Sequence, residues 1–267
     1  MTTQRVLTFG NDDSAGADTA WGWVTAQPWP DWQIEVVAIK ALSPETFTHS
    51  PTEFELHTWQ PTKPRSGESG WQVDEVVHLT VEHDPRLVLS SREKSDLVVI
   101  GARGKGLLKT MRLGSTAEWL MQCPTTPLLI SKNSNSVKKI LVCVDGSPHA
   151  EAAVQVLSAL PLIKGAHVTV FGVVESDDSV IDQVASSGSL LESVGAEVEE
   201  VVAEQDPLVM SVSPRMAISD LLRDENPDLV VMGTRGMTGL KKMVVGSVAS
   251  AITHHAECSV LLARAAD

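Results

Sequence analysis

The hydrophobic residues in the second half of the chain fall into short runs separated by longer stretches of mixed character. Most of the runs are continuously apolar and β-branched, which predicts buried strands. The stretches between them predict helices. The first opens at Ser147-Pro148, where serine caps a helix and proline fits the first turn. The predicted strands are 138–145, 166–174, 197–203, 227–233 and 259–264, and the predicted helices are 147–160, 178–195, 213–226 and a stretch that begins after 246.

This alternation of strands and helices predicts a parallel sheet with helices on both faces. The crossover connections should be right-handed. In such sheets, ligands bind beyond the carboxyl ends of the strands, where the strand order reverses. The loop that follows the fourth predicted strand, 227–233, is therefore expected at the ligand-binding edge.

The first half of the chain repeats the second. With an offset of 132, VVIGARG (98–104) aligns with VVMGTRG (230–236), and LGSTA (113–117) aligns with VGSVA (245–249). Repeats of this kind define the architecture of a chain. The polar stretch 131–138, SKNSNSVK, has the composition of a linker. The sequence therefore predicts two domains, a first unit at 1–133 and a second unit at 134–267.

The first unit departs from the second between its second and third strands, which are predicted at 34–42 and 75–83. The segment of about 43–71 is rich in proline, threonine and serine and shows no helical period. We interpret it as a long loop in place of a helix. Loops of this length within a compact domain are usually functional or disordered.

Composition narrows the functional classes. The net charge of −13 disfavours nucleic-acid binding, which needs a basic face. Neither a signal peptide nor a membrane-spanning run is apparent, so a cytoplasmic protein is expected. Three scattered cysteines, Cys123, Cys143 and Cys258, predict reduced thiols rather than disulfides or a zinc site. All seven tryptophans lie between Trp21 and Trp119, which favours packing in the first unit over an exposed aromatic patch.

Glycines and a serine recur at fixed spacing after the fourth strand of each unit. Gly-x-x-Gly is followed by nine residues and then by Gly-Ser, where a helix begins. Glycine allows a positive φ and a close approach to the backbone. The helix start offers unpaired N–H groups and a favourable dipole to an anion. A glycine turn and a serine cap are also common in parallel α/β proteins without a ligand, and Glu118 after Ser115 predicts such a capping box. The spacing fits neither a P-loop nor a dinucleotide-binding fingerprint.

The spaced signature, present whole in both units, resembles the ATP-binding signature of the universal stress protein family. The stretch VDGSPHAEAA (144–153) is similar to the first strand and helix of that family. The resemblance covers nearly the whole chain. It implies an α/β fold of two tandem flavodoxin-like, adenine nucleotide α-hydrolase-like domains, each a five-stranded parallel sheet in the order 3-2-1-4-5. It also implies that the units pair through their last strands, as a pseudo-dimer within one chain.

The resemblance also implies a nucleotide site in each unit, for ATP alone or with Mg²⁺. An aspartate that ends the first strand would contact the ribose, the end of the second strand would lie near the adenine, and the glycine motif would hold ribose and phosphates. In the second unit the expected residues are Asp145, Val173, Val174, Met232, Gly233, Arg235, Gly236, Gly246, Ser247 and Val248. In the first unit they are Asp12, Ile39, Lys40, Gly101, Arg103, Gly104, Gly114, Ser115 and Thr116. Asp13 replaces Gly146 in the first unit, and such a carboxylate could repel phosphates or hold a cation.

No catalytic or metal-binding residue is predicted. His254 and His255 belong to the last turn of the helix after Ser247, the wrong end for phosphates, and favour a role at the helix terminus. The loop lysines Lys105, Lys109, Lys241 and Lys242 could screen phosphates or simply be solvated. Three functions stay open: a nucleotide-binding regulatory protein in the stress response, a weak ATPase or autokinase, and a nucleotide-free interaction module. Neither nucleic acid nor membrane is an expected partner, and a homodimer stays open.

Overall fold

The computed structural model describes residues 4–39, 76–81, 84–92, 94–104, 112–122, 125–174, 179–204, 213–236 and 245–265. The loop predicted at about 43–71 lies outside these residues, as do Lys40, Cys123 and the loop lysines. In the first unit the elements are β1 (Arg5–Asn11), α1 (Ala15–Ala26), β2 (Trp32–Ile39), β3 (Val76–Val81), α2 (Pro85–Ser90), β4 (Leu97–Gly101), α3 (Ser115–Gln122) and β5 (Leu128–Ser131). In the second unit they are β6 (Lys139–Val144), α4 (Pro148–Ser158), β7 (His167–Val174), α5 (Ser179–Ser193), β8 (Glu197–Glu204), α6 (Pro214–Glu225), β9 (Leu229–Gly233), α7 (Ser247–His255) and β10 (Ser259–Ala263).

The described strands form one sheet in the order β3-β2-β1-β4-β5-β10-β9-β6-β7-β8. Each unit therefore has the order 3-2-1-4-5, and all strand pairs within a unit are parallel. The fold class predicted from the sequence is confirmed. The antiparallel pair β5·β10 joins the two units into a single sheet, with Leu129 opposite Leu261.

Helices cover both faces of this sheet. Buried side chains of α1, α4 and α5 pack with one face, and buried side chains of α2, α3, α6 and α7 pack with the other. Each of the two resulting hydrophobic clusters contains residues from both units. The units therefore share their cores across the β5·β10 seam.

Four tryptophans of the first unit are core residues. Trp21, Trp23, Trp29 and Trp32 are all buried, and Trp29 packs edge-on against Trp32 with ring centroids 5.4 Å apart. The Trp29 indole N–H donates to the carbonyl of Val24 at 2.8 Å. For these four residues the packing interpretation is confirmed, and no aromatic surface patch is needed to explain them.

The linker is fastened to α1 by one buried side chain. Gln27, at the end of α1, accepts a hydrogen bond from the Val137 amide at 3.0 Å and donates to the Asn135 carbonyl at 2.9 Å. Close by, Arg5 donates to the carbonyl of Ala159, which follows α4. These bonds fix the linker and the second unit against the first unit on the α1/α4 face.

A second set of polar contacts joins the units on the opposite face. His254 Nε2, at the end of α7, lies 2.9 Å from Glu118 Oε2 on α3. His255 Nδ1 lies 3.2 Å from an Arg112 guanidinium nitrogen. The expectation that the histidines end the helix after Ser247 is confirmed, and each of them also contacts a side chain of the other unit.

The helix-start predictions had mixed outcomes. Ser147 caps α4, because its hydroxyl accepts from the Ala150 amide at 3.1 Å. The capping box predicted for Ser115 and Glu118 is wrong. Ser115 is already the first helical residue, Glu118 N bonds the carbonyl of Gly114, and the Glu118 carboxylate pairs with His254.

Lys132 is half-buried at the seam between the units. Its ammonium donates to the carbonyls of Thr253, at 2.6 Å, and of Ala256, at the carboxyl end of α7. Burial lowers the pKa of Lys132 to about 8, and the positive charge of Arg112 adds to this effect. Burial raises the pKa of the neighbouring Cys258 thiol to about 11.

These shifts predict a pH dependence of the free energy of unfolding. Above about pH 8, folded Lys132 loses a proton that the unfolded chain keeps up to its ordinary pKa of 10.5. Because the unfolded state then binds more protons, the Lys132 contribution makes stability rise with pH, by up to about 1.4 kcal/mol per pH unit. The raised Cys258 pKa acts in the opposite direction once an unfolded thiol ionises, above about pH 8.5. We therefore expect the free energy of unfolding of wild type, measured in urea, to rise relative to that of Lys132→Met by roughly 1 kcal/mol between pH 7 and 9. A constant difference would contradict a depressed lysine pKa.

Candidate functional site

Two loops meet at the carboxyl edge of the second unit. One follows β6 and holds Asp145, Gly146 and Ser147, and the other follows β9 and holds Thr234, Arg235 and Gly236. The buried hydroxyl of Ser147 donates to the Arg235 carbonyl at 3.2 Å and so ties the loops together. Asp145 Oδ1 accepts from the Ser147 amide at 3.1 Å. The sequence separates these loops by almost ninety residues, and the parallel pairing of β6 with β9 brings them side by side.

The second glycine of the motif makes room for the aspartate. A Cβ built on Gly236 would lie 2.6 Å from Asp145 Oδ2, closer than real Cβ atoms come. Only glycine therefore allows this carboxylate to lie against the backbone of the β9 loop. The contact joins the strand-end aspartate to the glycine motif, two features that the sequence predicted separately.

The first glycine of the motif, Gly233, is required for a different reason. A Cβ on Gly233 would lie 2.7 Å from the amide nitrogen of Ala150 in α4, so glycine is required there by helix packing. None of the motif glycines has a positive φ, so the expectation of left-handed turns at these positions is wrong. At Gly233 and Gly236 glycine is required for close approach.

The start of α7 lies beside the loop that follows β9. The Gly246 amide donates to the Thr234 carbonyl at 2.8 Å, which places the helix start beside the β9 loop. Gly246 occupies the N-cap position without a side-chain cap, and the Ser247 side chain is exposed. The first N–H groups of α7 have no acceptor within the helix, and the Ser247 hydroxyl does not compete for them as a cap. The Thr234 hydroxyl is buried and has no hydrogen-bond partner among the described residues.

The first unit builds the same arrangement. Ser14 donates to the Arg103 carbonyl at 3.3 Å, and Asp12 Oδ1 accepts from the Ser14 amide at 3.1 Å. A Cβ on Gly104 would lie 2.5 Å from Asp12 Oδ2. The Gly114 amide donates to the Ala102 carbonyl at 2.8 Å, as Gly246 does to Thr234. The duplication therefore extends from the motif to its three-dimensional contacts.

The other residues expected at the sites are placed as follows. Val173 and Val174 end β7, with Val173 buried, and Ile39 ends β2. Arg235 is half-buried, whereas Arg103 and Ser115 are exposed. Met232 is buried in the core on the α6/α7 face, which disfavours direct contact with a ligand. Val248 and Thr116 are half-buried in the first turns of α7 and α3. A Cβ on Gly101 would lie 2.3 Å from the Gly16 carbonyl oxygen. Lys40 lies outside the described residues.

Sequence reasoning missed two side chains that hold the aspartate loops. In the second unit Gln183, on α5, accepts from the Gly146 amide at 2.7 Å and donates to the Ser147 carbonyl at 3.0 Å. In the first unit Asn11 accepts from the Asp13 amide at 3.0 Å. No signal along the sequence marks either residue, because glutamine and asparagine are ordinary at helix surfaces and strand ends.

Neither Cys143 nor the histidine pair at the end of α7 offers a reactive group at these loops. Burial strongly raises the pKa of the Cys143 thiol, which keeps it protonated and unreactive. His254 and His255 lie at the opposite end of α7 and contact the first unit. Within the ranges given above, no group of three or more histidine, cysteine or acidic side chains is arranged to hold a metal ion. None of the described helices has both the length and the apolar character needed to cross a bilayer.

Fold and loops together define a tandem, doubly wound α/β protein with a glycine–serine loop at the carboxyl edge of each unit. The sequence model of the universal stress protein family matches residues 4–132 and 136–264. The chain belongs to the universal stress protein family.

Individual relatives agree with this assignment. A universal stress protein of Mycobacterium tuberculosis (strain ATCC 25618 / H37Rv) is 27% identical over 300 residues, covering 97% of this chain and 96% of the relative. A universal stress protein of Mycobacterium bovis is 28% identical over 197 residues, and that match covers 67% of this chain but only 65% of the relative. The crystal structure of a universal stress protein from Archaeoglobus fulgidus superposes with a TM-score of 0.65 at 16% identity, covering 99% of this chain and all of the other. At that identity the superposition supports the fold alone.

Proposed function

We propose that this universal stress protein is a cytoplasmic regulatory protein that binds an adenine nucleotide, ATP in the first instance, at the carboxyl edge of each unit. The observation that supports this most strongly is the repeated contact between a strand-end aspartate and the second motif glycine. Both units keep it, although their sequences differ around it. A purely structural duplication needs neither a carboxylate held at this edge nor an uncapped helix start beside it.

The residues present suit the parts of a nucleotide. Asp145 would accept from ribose hydroxyls, since its Oδ2 makes no hydrogen bond within the described residues. The first amides of α7, the Ser247 hydroxyl and the Arg235 guanidinium would contact phosphates, which helix N-termini and arginine favour. The buried, unpaired Thr234 hydroxyl indicates that a polar partner belongs nearby. Mg²⁺ would be held chiefly by the phosphates, as is common for this ion.

Binding is favoured over hydrolysis. Phosphoryl transfer to water needs a group that orients or deprotonates the nucleophile. At the loops of the second unit the acidic side chain is Asp145, whose Oδ1 accepts from the Ser147 amide and whose Oδ2 the proposal assigns to the ribose. We therefore expect slow turnover at most, with the nucleotide acting as a ligand that alters conformation or association.

Mass spectrometry of the full chain under native conditions tests the proposal. We expect the purified protein, or the protein incubated with ATP, to carry one or two adenine nucleotides per chain. The same spectra report whether chains associate. A chain that stays free of nucleotide at millimolar ATP would leave the loops as structural features of an interaction module.

A further inference from the structure

The aspartate loops of the two units hold the same backbone group by different means. In the second unit the amide of Gly146 donates to Gln183 of α5, and in the first unit the equivalent amide of Asp13 donates to Asn11, the last residue of β1. Both loop residues have a positive φ, 81° at Gly146 and 54° at Asp13. Both loops thus pass through a left-handed residue at the same place, but the support of that residue comes from a separate helix in one unit and from the loop's own strand in the other.

The sheet is adapted to bring α5 within reach of the loop. A Cβ on Gly172 of β7 would lie 2.4 Å from Val180 and 2.9 Å from Val184, so glycine lets α5 pack directly on the strand. Gly172 stands opposite Val144, the residue before Asp145. At the matching position the first unit has Ala38, opposite Asn11. A glycine in β7 therefore places the turn of α5 that carries Gln183 beside the aspartate loop.

Both hydrogen bonds of Gln183 hold backbone groups of the aspartate loop. One holds the Gly146 amide, and the other holds the Ser147 carbonyl at 3.0 Å. Between the Gly146 amide and the Ser147 carbonyl lies the peptide that joins Gly146 to Ser147, the serine that ties the two loops together. Because Asp145 accepts from the Ser147 amide, a shift of this peptide moves the carboxylate away from its place against Gly236.

We infer that Gln183 is a positioning residue for nucleotide binding in the second unit, which makes that site depend on the placement of α5. In the described part of the first unit, Asn11 of the loop's own strand holds the equivalent amide. This inference rests on the proposed function. It adds an asymmetry between the two sites: displacement of α5 changes the affinity of one of them alone.

The parent chain for the test is the full chain with Gly114→Trp, which fills the first site. Binding of ATP, the probe, is measured by calorimetric titration. Gln183→Ala leaves the Gly146 amide without its acceptor, and we expect the affinity for ATP to fall about tenfold. Adding Val144→Asn supplies an acceptor where Asn11 stands in the first unit, and affinity should return to within about threefold of the parent. Glu192→Ala, an exposed position farther along α5, is the control and should bind ATP as the parent does.

Hydrogen exchange of the nucleotide-free chain gives a readout that general destabilisation would not produce. Gln183→Ala should speed exchange in 144–150 and leave 11–17 unchanged, and Asn11→Ala should do the reverse. Unchanged ATP affinity in Gln183→Ala, unchanged exchange in 144–150, or failure of Val144→Asn to restore binding would each overturn the inference. A parent chain that binds no ATP would instead refute the proposed function.

Discussion

Replacing Gly246 by tryptophan is expected to abolish nucleotide binding in the second unit, with a loss of affinity of at least about 100-fold. Gly246 occupies the N-cap of α7, and its amide and carbonyl are engaged with Thr234 and Ser250. Its φ of −64° suits any residue, so the backbone can stay in place while the indole fills the space beside the helix start. The measurement is calorimetric titration with ATP, together with the count of bound nucleotides per chain.

Gly246→Ala is the matched control for this experiment. Its Cβ would lie 3.5 Å from the nearest atoms, an ordinary contact, so alanine should cost only the small effect of a poorer N-cap. Gly114→Trp makes the same change in the first unit and should remove the other site alone. If Gly246→Trp binds as much ATP as wild type, the nucleotide does not lie at the start of α7.

Replacing Leu261 by alanine is expected to destabilise the first unit as well as the second, by about 3 kcal/mol. Leu261 is fully buried on β10, stands opposite Leu129 of β5, and belongs to the cluster that contains Trp23 and Trp29. The missing side chain leaves a cavity in a core that both units share. All tryptophans lie in the first unit, so the midpoint of denaturant unfolding followed by tryptophan fluorescence reports on the unit that was not mutated.

The fluorescence and circular dichroism transitions should coincide and should shift together in Leu261→Ala. Met216→Ala, in the second unit at a position that is 63% exposed, should leave both midpoints unchanged. A tryptophan transition that ignores Leu261→Ala while the dichroism transition splits would show that the units unfold independently. Such a result would contradict a common core.

Local features of the fold were predictable because strands and helices leave a short-range pattern. The apolar runs within 138–145 and 227–233 predicted buried parallel strands, which the structure places at Lys139–Val144 and Leu229–Gly233. Ser147-Pro148 marked the start of a helix within one residue. The glutamates of β8 are exposed. The duplication was equally visible, since an offset comparison needs no structure.

The candidate site was predictable only in part. The spacing of Gly233, Gly236 and Gly246 marked the loops correctly, but the reason for each glycine was not readable. Gly233 faces α4 and Gly236 faces Asp145, contacts between residues more than eighty positions apart in the chain. The capping box at Ser115 failed because α3 begins at Ser115 itself and the Glu118 carboxylate pairs with His254 of the other unit.

The amino-acid sequence alone determined the class of fold, the two units and the loops that carry the glycine–serine motif, since all of these follow from patterns between near neighbours or from direct repetition. Tertiary structure alone decided how those loops are held: Ser147 against Arg235, Gln183 against the aspartate loop in one unit, and Asn11 in the other. A hydrogen bond depends on distances and angles set by how distant segments pack, and the order of residues along a chain does not contain those distances.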